Sequence, residues 1–140
     1  MPQDRHVRLL LQKAAQDEYV LDRLLADPGG PVEPFGFHAQ QAAEKLLKAT
    51  IKAAGVEYPL SHQVAELLDI ARDAGAPVPI EFEDLKHLSP FAVQFRYDAL
   101  PVIGAADLDP LSVRRLVADL RSWVEQFVAE RGVDTTTGDD

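Results

Sequence analysis

Between its prolines this chain is written in helical periodicity, and that alternation of breaker and amphipathic run most limits what it can fold into. Proline lacks an amide donor and clashes with the preceding turn. Pro28, Pro31 and Pro34, then Pro59, then Pro77 and Pro79, then Pro101 and Pro110 therefore divide the chain into helix-sized pieces. The first piece, residues 7–26, carries Leu10, Ala14, Leu21, Leu24 and Leu25 on one face. The second, 35–54, stops at Gly55. The third takes Ser61 as N-cap, turns Val64, Leu67, Leu68 and Ala71 inward and ends at Gly75. The fourth, 80–97, contains Pro90; with Ser89 as cap and Pro90 at the first helical position, it predicts two short helices or one sharp kink. The last opens with Asp109 as N-cap and Pro110 behind it. It then repeats Val113, Leu116, Val117, Leu120, Trp123, Val124, Phe127 and Val128 until Gly132.

No segment shows the two-residue alternation of a strand, so the expectation is an all-α, up-and-down bundle of four to five helices with no sheet. One domain over residues 1–132 is followed by an acidic tail, 133–140, whose threonines, glycine and aspartates predict disorder. No stretch approaches the ~20 apolar residues of a membrane span, and the start runs straight into an amphipathic pattern without a signal peptide. The absence of cysteine removes disulfides, thiolate chemistry and most structural zinc sites, which makes a cytoplasmic location the expectation. A formal net charge of -9 argues against broad coating of nucleic acid, while leaving room for a small basic cleft.

One stretch runs against that acidity. Phe37-His38-Ala39-Gln40-Gln41-Ala42-Ala43-Glu44-Lys45-Leu46-Leu47-Lys48-Ala49 is helical in pattern, yet it places Gln41, Lys45, Lys48 and Lys52 along one stripe at i, i+4, i+7 and i+11. Lysines so arranged can bind phosphate as point charges, with Gln41 donating an amide hydrogen bond. The same spacing also suits a solvated face in which Glu44 and Lys48 pair across one turn.

This block, with Ser61-His62 opening the next helix ahead of Leu67-Leu68, and Leu88-Ser89 through Phe95 leading to Arg96-Tyr97, resembles the HEPN domain. The matching residues cover about 35–98, and the flanking helices sit where that family places them. The resemblance implies a small helical bundle acting as a homodimer, often encoded beside a minimal nucleotidyltransferase as a toxin–antitoxin-like pair. It also implies a role in binding RNA or nucleotides, or metal-independent ribonuclease activity in a cleft at the dimer interface. Carried onto this sequence, that cleft is lined by Gln41, Lys45, Lys48, His62, Arg96 and Tyr97.

The family's ribonuclease motif, an Arg followed after four to six residues by a His, is missing. Arg96 is followed by Tyr97-Asp98-Ala99-Leu100-Pro101-Val102-Ile103-Gly104, and no histidine occurs after His87. Histidine moves protons near neutrality, whereas arginine stabilises phosphate charge but cannot serve as a base. Catalysis therefore stays open, with Arg96 and His62 as the candidate residues and His38 next; His6 and His87 lack supporting context. A non-catalytic interaction bundle is the further alternative. Glu83, Asp84 and His87 supply only one imperfect copy of a di-iron pattern, and His62 with Glu66 could give two metal ligands at most, so no metal and no cofactor is expected. Phe91, Phe95 and Trp123 read as core, and Tyr97 as the aromatic left exposed for stacking.

Overall fold

The computed structural model describes residues 2–27, 29–91 and 108–135. They form α1 (Pro2–Leu25), α2 (Val32–Ala53), α3 (Val64–Asp73), a 3₁₀ helix η1 (Ile80–Leu88) and α4 (Pro110–Glu130). No strand occurs among the described residues, and no helix there is long and apolar enough to cross a membrane.

The helix starts show which prolines are breakers and which are not. α1 begins at Pro2, five residues before the expected start, and α2 at Val32, three before. In α2 only Pro31 stands outside, as an extended N-cap (φ -69°, ψ 147°), while Pro34 lies inside the first turn. First-turn amides have no intrahelical acceptor, so a proline there gives up nothing. α3 differs in the other direction. It opens at Val64 rather than directly after Ser61, because Ser61 Oγ accepts from the Gln63 amide (3.0 Å) in a local turn and donates to Glu66. Its cap comes from elsewhere: the Val64 amide donates to Ser89 Oγ at 3.2 Å. Ser89, expected to cap a helix of its own, has helical dihedrals and spends its hydroxyl on α3 instead.

η1 is 3₁₀ for a reason present in the sequence. Phe82, Leu85 and Leu88 are buried at a strict spacing of three, and a helix of three residues per turn stacks them on one side. The 3₁₀ geometry gives way to α at Ser89–Phe91; the remainder of the expected fourth helix, including Phe95, Arg96 and Tyr97, lies outside the described residues. The stops behave as expected: Gly55 and Gly132 take φ of 85° and 80°, a conformation that ends a helix without a Cβ clash.

α2 is the central element, touching α1, α3, η1 and α4. Thirteen of its 22 residues are buried, and the alanines among them (Ala39, Ala42, Ala43, Ala49, Ala53) let neighbouring helices approach closely. Leu46, Leu47 and Ile51 fill the core with Val7, Leu21, Leu67, Leu68, Leu85, Val117 and Leu120. α4 runs antiparallel to α1, tied by Arg114 to Asp22 (2.7 Å), Arg121 to the Leu11 carbonyl (2.8 Å) and Arg8 to the Asp134 carbonyl (2.8 Å). Val133 is buried and Asp134 is held against α1, so the chain stays on the bundle past the boundary expected at Gly132. Residues 136–140 of the expected tail lie outside the described residues. Phe91 is buried as expected; Trp123 is only partly buried and stacks on Phe127 at 5.4 Å.

Candidate functional site

The α2 stripe is present as a helical row, but its charge is matched residue by residue. Lys45 pairs with Asp17 of α1, which also accepts from His38 Nδ1 at 3.0 Å. Lys48 lies 3.4 Å from Glu44 Oε1 and sits over the Tyr58 ring, 5.3 Å from its centroid. Lys52 pairs with Glu57 at 2.9 Å. The basic stripe read from the sequence is therefore locally near neutral, and Lys48 is largely enclosed, with 12% of its side chain exposed.

Around Lys48 the middle of α2 and the segment leading into α3 form a second layer of contacts. Gln41 Nε2 donates to Gln40 Oε1 (2.7 Å), and Gln40 Nε2 donates to the His62 carbonyl (2.8 Å). His62 Nδ1 hydrogen-bonds Glu44 Oε1. Tyr58 OH and His6 Nε2 lie 2.6 Å apart, joining the start of α1 to this corner. Burial raises the Tyr58 hydroxyl pKa above its usual value, against the opposing pull of Lys52, so the phenol stays protonated as a hydrogen-bonding group.

The structure thus brings Gln41, Lys48 and His62 to one corner through Gln40 and Glu44, and leaves Lys45 turned toward α1. Arg96 and Tyr97 lie outside the described residues. Four participants escaped the sequence reading of the site: Gln40, Tyr58 and Asp17, and Glu44 in its bond to His62. A signal for two of them existed, since Gln40 and Glu44 are polar residues one turn apart among alanines, a pattern that places both on a packed face. His6 and Tyr58 are 52 positions apart and carry no such local signal.

Elsewhere, a cavity of about 600 Å³ lies between η1 and the start of α4, with Leu85, Phe91, Leu108 and Leu116 as its apolar wall and Asp84 and His87 at its side. Glu83 is taken up by Arg72, and no cluster of three or more His, Asp or Glu among the described residues is arranged to hold a metal ion.

The family model of the HEPN domain matches residues 7–129. The chain belongs to the HEPN domain family. No curated protein and no solved structure matched it. For this HEPN domain the match takes in α2, α3, η1 and all but the last residue of α4, a range that includes Gln40, Gln41, Glu44, Lys48, Tyr58 and His62.

Proposed function

We propose that this protein is the HEPN component of a toxin–antitoxin-like module with a minimal nucleotidyltransferase, binding RNA or nucleotide phosphate in a cleft formed by two copies of the chain. The observation that carries the reading is the HEPN match over residues 7–129. The polar corner of α2 offers a place for the ligand, with Gln41, Lys48 and His62 as its lining; Lys45, paired with Asp17, and Arg96 and Tyr97 belong to the proposed site through the family resemblance. Because Lys45 and Lys48 already face carboxylates, a bound phosphate must draw them from Asp17 and Glu44 or rely on Arg96 for its charge. The missing Arg–His motif makes binding without turnover the primary activity; metal-independent cleavage of RNA from a non-standard site is the catalytic alternative.

The test is binding of a short single-stranded RNA across a salt series. Affinity should fall linearly on a log–log plot against salt, and Lys48→Glu and Arg96→Ala should each weaken it. Binding that is absent or indifferent to salt rules the reading out. Cleavage of that RNA without metal, abolished by Arg96→Ala, would select the ribonuclease alternative.

The pairing of each stripe lysine with a carboxylate favours a second reading, a non-catalytic interaction bundle whose α2 corner packs on the partner enzyme. In that case Lys48→Glu breaks the complex with the nucleotidyltransferase and leaves nucleotide affinity unchanged.

A further inference from the structure

The geometry points to His62 as a reader of sugar hydroxyls, with its backbone positioned by Gln40 and its ring by Glu44. Those two residues lie one turn apart in α2, and both are polar side chains with almost no exposure, 0% for Gln40 and 3% for Glu44. Burying an amide and a carboxylate is unfavourable unless each is given partners. Gln41 and Lys48 supply one contact to each, and a further one for each comes from a single residue: Gln40 donates to the His62 carbonyl at 2.8 Å, and Glu44 accepts from His62 Nδ1. His62 is pinned at backbone and ring while half of its side chain remains exposed.

Fixing the path of the chain into α3 requires only the backbone anchor. The second anchor acts on the ring, and its chemical effect is specific. An ionised carboxylate can only accept, so a neutral imidazole facing it carries its proton on Nδ1 and turns the Nε2 lone pair outward. Among the described residues no protein group hydrogen-bonds to Nε2.

An outward acceptor excludes some ligands and suits others. A phosphate dianion offers acceptors alone and cannot occupy that lone pair. A metal ion needs further ligands, and among the described residues no third His, Asp or Glu stands with His62 and Glu44. A hydroxyl donor fits, and the donor that accompanies phosphate in RNA and is absent from DNA is the ribose 2′-hydroxyl. This inference rests on the reading that the ligand is RNA or a nucleotide, and it gives His62 the sugar and leaves the phosphate to the cations. Gln40 and Glu44 are then positioning residues, acting through His62.

Two measurements on the full chain test it. The first is ¹⁵N NMR of His62 in the free protein, at a pH where the ring is neutral. The expected state is protonation at Nδ1, and Glu44→Gln, which places an amide against the ring, should mix the two tautomers. The second compares a short single-stranded RNA with DNA of the same sequence. RNA should bind about fivefold more tightly, the effect of one hydroxyl hydrogen bond. His62→Ala should bind both equally, and Glu44→Gln should narrow the preference with helix content unchanged by circular dichroism. Protonation of the neutral ring at Nε2 overturns the inference whatever the binding data show. A preference that survives His62→Ala, or equal binding of RNA and DNA by the native protein, overturns it while leaving phosphate binding intact. Failure to bind either strand overturns both readings together.

Discussion

Gly36 stands where α2 meets the ring of Phe91, and the contact leaves no room for a side chain. A Cβ at Gly36 would lie 2.3 Å from Phe91 Cδ1 and 2.6 Å from Cε1. Phe91 is 4% exposed and cannot swing away without opening the core. Gly36→Ala should therefore destabilise the protein by about 1–3 kcal/mol through overpacking, despite the higher helix propensity of alanine. Urea denaturation measures this, and a stabilised variant would show that the ring yields freely. Asp22 tests charge at the same scale. The hydrogen bond from Arg114 holds its carboxyl below the ordinary value of 3.8, outweighing the upward push of burial, and Coulombic attraction to Arg114 adds to the lowering. A depressed folded-state pKa stabilises above the unfolded value and loses that contribution as pH falls through the folded one. The Tm gap between the native protein and Asp22→Asn should thus be present at neutral pH and close as acid protonates Asp22. A gap that widens in acid would contradict the pairing. Its size should be small, because Asp22 is largely exposed.

At the scale of elements, the helix boundaries separate what is local from what is not. Proline and glycine positions predicted the stops at Gly55, Gly75 and Gly132, and the core positions of α3 (Val64, Leu67, Leu68, Ala71) were all legible from their spacing. The three-residue spacing of Phe82, Leu85 and Leu88 is equally visible in the sequence, and three per turn is the 3₁₀ period. The cap of α3 was not legible at all. Ser61 has the residue type and position of an N-cap, but the Val64 amide is satisfied by Ser89, 25 residues away. Ser89→Ala should therefore cost about 1 kcal/mol, and more than Ser61→Ala, whose hydroxyl serves an exposed turn and an exposed bond to Glu66. Equilibrium unfolding of the two variants checks the order; the reverse ranking would return the cap to Ser61.

Across the whole molecule, an acidic pair in the middle of α1 ties the bundle together. Asp17 faces α2 through His38 and Lys45, and its neighbour Glu18, 5% exposed, faces α4 through Arg114 and Arg121. Removing one partner of a buried ion pair leaves the others desolvated and unmatched. Glu18→Gln should lower stability by about 2–3 kcal/mol, somewhat less than for a fully buried pair because both arginines keep 20% side-chain exposure. Chemical denaturation tests it, and an unchanged midpoint would mean that the cluster contributes little to holding α4 on α1.

The sequence by itself determined the helical class, most of the helix stops, the core stripes and the HEPN family, which the match over residues 7–129 shows. These depend on short-range rules: backbone bonds four residues apart, breakers at fixed positions, and apolar residues recurring with the turn. Only the tertiary structure decided which polar groups meet. Lys45 finds Asp17 28 positions away, Glu44 finds His62 at 18, and His6 finds Tyr58 at 52. Periodicity identifies the buried face of a helix but not the rotation and crossing at which two helices dock, and those set which side chains on neighbouring elements come within hydrogen-bonding reach. For that reason a row of lysines that reads as a free basic stripe in one dimension is, in three, a row of ion pairs beside one positioned histidine.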